Sequence, residues 1–164
     1  MFLMERRYSM LTEGLKAPDF TLPGIDEDGA ETKFSLKELR GRKLVLYFYP
    51  KDNTPGCTRE ACDFRDNMRR LKGNAAVLGI SPDSVESHKK FREKLDLSYP
   101  LLSDGEKTVA SAYGAWGEKT MYGKKTFGII RSTFLIDEKG VLLKAWRKVK
   151  VQGHVDEVLG ALKG

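Results

Sequence analysis

Two hydrophobic rhythms alternate along this chain. The runs "KLVLYFYP" (43–50) and "NAAVLGIS" (74–81) are unbroken apolar stretches rich in β-formers, and they predict buried strands, the first ended by Pro50. Between them, residues 55–72 carry apolar positions at helical spacing, with Gly73 as a stop, so the segment predicts one helix. Strand, helix and strand in that order imply a crossover and parallel pairing. Upstream, "APDFTLPGIDEDGAETKFSLKELRG" predicts a short hairpin and a helical turn, with Asp26, Asp28 and Gly29 supplying the turn. Downstream, "SPDSVESHKKFREKLD" predicts a second helix capped by Asp83 or Ser84, and "EKTVASAYGA" a short one. "RSTFLIDEKGVLLKAWRKV" predicts a hairpin turning at Asp137 to Gly140, and "GHVDEVLGALKG" a closing helix.

The order is βαβ, a helix, then ββα, with a hairpin in front. It matches an α/β chain of thioredoxin-like fold: a central mixed sheet flanked by helices, with an N-terminal β-hairpin addition. Pattern alone leaves this one of several α/β arrangements. A length of 164 residues suits one domain with a sizeable core, placed here at 14–164 behind an uninformative extension, 1–13. Met1, Met4 and Met10 leave the start open. No repeat, low-complexity segment or linker interrupts the chain. With 40% hydrophobic and 32% charged residues, the composition is that of a globular protein in water. The apolar run 44–49 is far too short to cross a bilayer, so no membrane role is expected. "MFLMERRYSM" lacks the apolar core of a secretory signal, which points to the cytoplasm. The net charge of +6 is spread among mixed acids and bases, as a solvated surface is, rather than gathered for nucleic acid.

The chain has two cysteines, Cys57 and Cys62. In a reducing compartment they point to redox or catalytic use more than to a structural bridge. Thr54 before Pro55 suits a helix N-cap, since proline pushes its predecessor into extended geometry and is itself favoured at the first helical position. Cys57 then lies in the first turn, where unpaired N–H groups and the helix dipole favour a thiolate. At 100° per residue Cys57, Ala61, Phe64, Met68 and Leu71 form an apolar stripe, with Arg59, Asp66, Arg69 and Arg70 opposite. Cys62 falls roughly 140° from Cys57, and the two Cα atoms are about 8.7 Å apart. A disulfide needs them within roughly 7 Å, so the cysteines can join only if the helix start unwinds. Two inert buried thiols would account for Cys57 but fit Cys62 on the charged side poorly. His88 and His154 each stand alone, without the spacing of a zinc module; a helix surface is expected for His88 and a cap or surface for His154.

"PKDNTPGC" fits the peroxiredoxin pattern Pro-x-x-x-Thr-x-x-Cys, with Pro50, Thr54 and Cys57 in place. "PGCTREACDFRD" resembles the PrxQ, or bacterioferritin comigratory protein, branch, in which a second cysteine five residues on resolves the first. The resemblance continues through "GLKAPDFTLP", "SPDS", "YPLLSD", "MYGKK", "RSTFLID" and "VQGHVDEVL", covering the chain from about Gly14 onward. It implies a thiol peroxidase with Cys57 as the peroxidatic thiolate and Cys62 as the resolving thiol. It implies that Arg131 stabilises the thiolate and holds the peroxide, although the residues alone suggest a surface arginine at a strand start. It implies further that Thr54 places thiolate and peroxide, Pro50 shields the sulfur, and the N–H groups of Gly56 and Cys57 bind peroxide oxygens. The substrate would be hydrogen peroxide or an organic hydroperoxide, reduced without haem, flavin or metal. Thioredoxin is the family's usual reductant, with glutaredoxin or another thiol as alternatives, and a monomer is expected ahead of a dimer. A non-enzymatic redox sensor or binding module on the same fold stays open, while dithiol exchange on proteins is disfavoured by the cysteine spacing. "YGAWGEKTMYGKKTFG", with Trp116 and Tyr122, reads as a glycine-rich connection, either a packed surface loop or a wall of the site. Phe20 reads as core, and Tyr47, Phe48 and Tyr49 as strand packing plus a rim to the pocket.

Overall fold

Strict alternation in the first apolar run sets the architecture. Leu44, Leu46 and Phe48 enter one hydrophobic cluster, and Val45, Tyr47 and Tyr49 enter another, all of them buried. A strand buried on both faces must lie in the middle of a sheet covered on both sides. The computed structural model describes residues 11–163, and Met1, Met4 and Met10 lie outside them. Its strands are β1 (Thr21–Ile25), β2 (Glu31–Ser35), β3 (Lys43–Phe48), β4 (Ala75–Ser81), β5 (Leu101–Ser103), β6 (Trp116–Met121), β7 (Lys124–Ile129), β8 (Ser132–Ile136) and β9 (Leu142–Arg147). Its helices are α1 (Pro55–Asp66), α2 (Met68–Lys72), α3 (Val85–Leu95), α4 (Thr108–Ala112) and α5 (His154–Lys163).

Seven strands form one mixed sheet in the order β2-β1-β5-β4-β3-β8-β9. β3, β4 and β5 pair in parallel, while β8 and β9 continue antiparallel from β3. The expected hairpin β1–β2 joins the sheet's far edge, where β1 pairs with β5. One face carries α1, α3 and α5 through Phe64, Phe91, Val158 and Leu162. The other carries Phe20, Leu36, Val109 and Tyr113. Phe64 clamps α1 to the sheet: its ring stacks on Tyr47 with centroids 4.5 Å apart. Burying a side chain of that size contributes roughly 1.5–3 kcal/mol.

The structure departs from what the sequence predicts at several points of the fold. Residues 55–72 form two helices rather than one. At Asn67 (φ −109°, ψ 9°) the side-chain amide donates to the Asp63 carbonyl at 2.8 Å, and the chain turns before α2 begins. Residues 116–129 are not an irregular loop but a two-stranded ribbon, β6 with β7, whose turn Tyr122–Gly123 takes positive φ at both residues. Tyr47, Phe48 and Tyr49 form no rim, because all three are at most 1% exposed. Ser84, rather than Asp83, caps α3, accepting from the Ser87 N–H at 3.1 Å.

Candidate active site

The site begins where β3 stops. Tyr49 still donates its N–H to Ile80 at the end of the sheet, and Pro50 then ends the ladder. The loop runs through Asn53 in left-handed geometry (φ 61°) to Thr54, extended as a residue before proline should be. Thr54 occupies the N-cap position, but its hydroxyl makes no capping bond. It donates instead to the Lys51 carbonyl at 2.8 Å, which closes the loop and leaves the oxygen's lone pairs free. The N–H groups of Gly56 and Cys57, in the first turn of α1, find no acceptor among the described residues. They are donors aimed at the place where an anion would sit.

Cys57 is 2% exposed, on the face of α1 that carries Ala61 and Phe64. Arg131 reaches it from the start of β8. One guanidinium nitrogen, Nη2, donates to Cys57 Sγ at 3.3 Å, and the other, Nη1, donates to Glu60 Oε1 at 2.5 Å. Gly56 eases the approach, since a Cβ there would lie 3.2 Å from Nη2 and press the guanidinium back by a few tenths of an ångström. Burial works against the Arg131 charge, but Glu60 and the adjacent sulfur outweigh it and raise its pKa above the ordinary value. Glu60 is 1% exposed, and burial pushes its carboxyl up to about 7, Arg131 recovering only part of the cost. Its second oxygen, Oε2, has no hydrogen-bond partner. The group is thus a planar cation held on one side by a reluctant carboxylate and offered on the other to a sulfur. Such a fork stabilises negative charge on sulfur and on any oxygen bound next to it. Beside Arg131 an open cavity of about 660 Å³ is lined by Pro50, Lys119, Thr120, Ile129, Ile130 and Val149.

The arrangement has close relatives. The AhpC/TSA family pattern matches residues 14–145. A putative peroxiredoxin bcp of Coxiella burnetii is 55% identical over 150 residues, 91% of this chain and 97% of that protein. Peroxiredoxin Bcp of Bacillus subtilis is 52% identical over 151 residues, 92% and 94% of the two chains. The chain belongs to the AhpC/TSA family, as a peroxiredoxin of the Bcp, or PrxQ, branch. Among solved structures, the Xanthomonas campestris bacterioferritin comigratory protein superposes with a TM-score of 0.83 at 44% identity, covering 93% of this chain and 98% of that one. A cysteine-to-serine mutant of Xylella fastidiosa PrxQ gives 0.84 at 41% identity, covering 94% and 97%. The fold of this peroxiredoxin is therefore the thioredoxin-like one expected, and its activity is that of a thiol-dependent peroxidase.

Cys57, Gly56 and Arg131 of this peroxiredoxin come together although Arg131 is 74 residues from the sulfur it touches. Thr54 and Pro50 flank them on the loop. Cys62 sits half-buried in the unbroken helix α1, and both cysteines are free thiols. Glu60 escaped the sequence reading. Its signal was present, since a residue three after Cys57 shares its side of the helix, but a lone glutamate among charged neighbours reads as surface. The two histidines were misplaced. His88 is 0% exposed and His154 1%, both inside the protein rather than on helix surfaces. His154 bonds to the Thr133 hydroxyl at 2.8 Å, while burial, aided by Arg131, lowers its pKa to about 4.

These two shifts oppose each other in stability. Glu60 rises from 4.5 to about 7 on folding, so its contribution is complete below pH 4.5 and lost as pH rises through 7. His154 falls from 6.5 to about 4, so its contribution is complete above pH 6.5 and lost as pH falls through 4. In the shared interval the slopes cancel. Glu60→Gln removes the first and leaves the second. The variant should therefore gain on the wild type by on the order of 3 kcal/mol in urea-unfolding free energy as pH rises through that interval to 7. Stability-versus-pH curves that stay parallel for the two proteins would rule this out.

Proposed function

We propose that Cys57 is the peroxidatic nucleophile and Cys62 its resolving partner in the reduction of hydrogen peroxide and organic hydroperoxides. The Cys57 thiolate attacks one oxygen of the O–O bond. An S–O bond forms, the O–O bond breaks, and hydroxide or alkoxide leaves and takes a proton, so sulfur is oxidised to the sulfenic acid as peroxide is reduced. The observation that carries this reading is the Arg131 fork, with one nitrogen 3.3 Å from the sulfur and the other on Glu60. The N–H groups of Gly56 and Cys57 hold the peroxide oxygens, and the Thr54 hydroxyl oxygen accepts the peroxide O–H. Pro50 keeps water from the sulfur. The cavity beside Arg131 gives an organic substituent room. Reduction of alkyl peroxide by the Xanthomonas relative supports the organic substrate.

Cys62 sulfur then attacks the sulfenic sulfur, forming the disulfide and releasing water. With both residues in one continuous α1, the step requires the first turns of that helix to open. An external dithiol, thioredoxin or a protein like it, returns the pair to thiols. A monomer suffices for this cycle, because both sulfurs lie on one chain. A cytoplasmic setting fits thiols that must be re-reduced, and no described helix is long and apolar enough to cross a membrane. Cys62→Ser separates the steps. The variant should consume one equivalent of peroxide at the wild-type rate, then stall or over-oxidise at Cys57, with turnover restored by a small thiol. Mass spectrometry of quenched samples reads each state, and sustained thioredoxin-dependent turnover by this variant would remove Cys62 from the cycle.

A further inference from the structure

A buried polar cluster lies beneath the loop that carries Pro50 and Thr54, and none of the chemistry above uses it. Asp52 is 6% exposed, and its carboxyl group makes three bonds: it accepts from the Tyr49 hydroxyl at 2.6 Å and the Ser87 hydroxyl at 2.8 Å, and it pairs with His88 Nδ1 at 2.7 Å. Its N–H donates to Asp83 Oδ2 at 2.7 Å, an oxygen that also accepts from the Ser81 hydroxyl at 2.6 Å. His88 turns its other nitrogen to the Leu102 carbonyl at 2.9 Å. Both nitrogens of the ring meet oxygens. Outside, Lys94 Nζ donates to Asn53 Oδ1 at 2.6 Å.

A loop aspartate normally faces water, and burying a carboxylate costs several kcal/mol unless it is fully bonded. Here the bonds tie the loop to the first turn of α3 and to the ends of β4 and β5. Asp52 sits two residues before Thr54, whose carbonyl accepts the first bond of α1, from Thr58 N–H at 2.8 Å. We propose that Asp52 and His88 are positioning residues: they lock the loop against the sulfur and set how readily the first turn of α1 unwinds. With the lock closed, Cys57 stays beside Arg131 and peroxide attack is fast. With it open, the turn frays, Cys57 leaves Arg131 and gains reach toward Cys62. The lock therefore favours attack and opposes disulfide formation. This inference rests on the two-cysteine cycle proposed above.

Asp52→Asn keeps the shape and replaces one acceptor oxygen of the carboxyl group by an N–H donor. By rapid quench and thiol labelling, Cys57 oxidation by hydrogen peroxide should slow about tenfold while the following disulfide step accelerates severalfold. Hydrogen exchange should quicken about tenfold at the Thr58 amide and stay unchanged in β3 and β4. Ser87→Ala deletes one of the three bonds at a half-buried position, and it should show the same split at about two- to threefold. A cluster that only holds the fold together would lower both rates together, or raise exchange throughout, and either result overturns the proposal, as do unchanged rates. Should Asp52→Asn fail to fold, Ser87→Ala decides by the same opposed rates. A wild type that cycles through the disulfide while the variants show no split overturns this inference alone. A wild type that forms no disulfide with peroxide overturns the functional reading with it.

Discussion

Cys57→Ser should lose peroxide consumption by more than about a thousandfold, with hydrogen peroxide and with an alkyl hydroperoxide alike. A serine hydroxyl stays protonated at neutral pH even beside a guanidinium, and oxygen is a poor nucleophile toward the O–O bond. The loss falls on chemistry alone. Cys57 is 2% exposed and packs with Ala61 and Phe64, and serine is slightly smaller, so the fold should survive with a modest drop in stability. Peroxide loss followed in the presence of thioredoxin and its reductase checks the rate, and circular dichroism checks the fold. A folded variant that kept a rate within tenfold of the wild type would assign the nucleophile to another group.

Arg131→Met should cost about 10²–10³-fold in kcat/KM for peroxide, the effect of removing a positioned donor from developing negative charge. The Arg131 fork serves two groups at once. Nη2 is 3.3 Å from the sulfur and Nη1 grips Glu60, so methionine removes at once the cation beside the sulfur and the partner of a buried carboxyl group. Glu60 answers by keeping its proton, since burial already holds its carboxyl near 7 with the arginine present. Stability at neutral pH should therefore fall less than the 3–5 kcal/mol that breaking a fully charged buried pair costs. Arg131→Lys should fall in between, because a single ammonium cannot bridge Glu60 and Cys57 as a planar fork does. In combination with Glu60→Gln, the losses in kcat/KM should be strongly non-additive, as expected of residues acting as one unit. Additive losses would mean that Glu60 does not work through Arg131.

Much of this site lies on one continuous segment, and that part was legible. Residues 50–62 carry Pro50, Thr54, Gly56, Cys57 and Cys62 in fixed order, and local rules suffice to place Pro55 at the helix start, Cys57 in its first turn and Cys62 around the helix. Unbroken apolar runs also yielded the central strands, which are buried on both faces, and turn residues between β-forming runs yielded the hairpins β1–β2 and β8–β9. Local rules failed where distant segments meet. Glu60 reads as solvated until Arg131, 71 residues later, covers it. His88 reads as a helix-surface residue until the loop at Asp52 closes over it. At the split, the Asn67 side chain takes the Asp63 carbonyl that a continuous helix would give to the Asn67 N–H. The β6–β7 ribbon was hidden by glycines and charges that fit an exposed two-stranded ribbon as well as a loop.

By itself, then, the sequence determined the helix that carries both cysteines, the angle and distance between them, and so the need for that helix to open if they are to join. These follow from backbone geometry, which every local stretch obeys. The tertiary structure decided which charges face the sulfur and what holds the loop beneath it. Those depend on polar groups taken out of water, and a buried charge is tolerated only where a partner from elsewhere in the chain arrives to meet it.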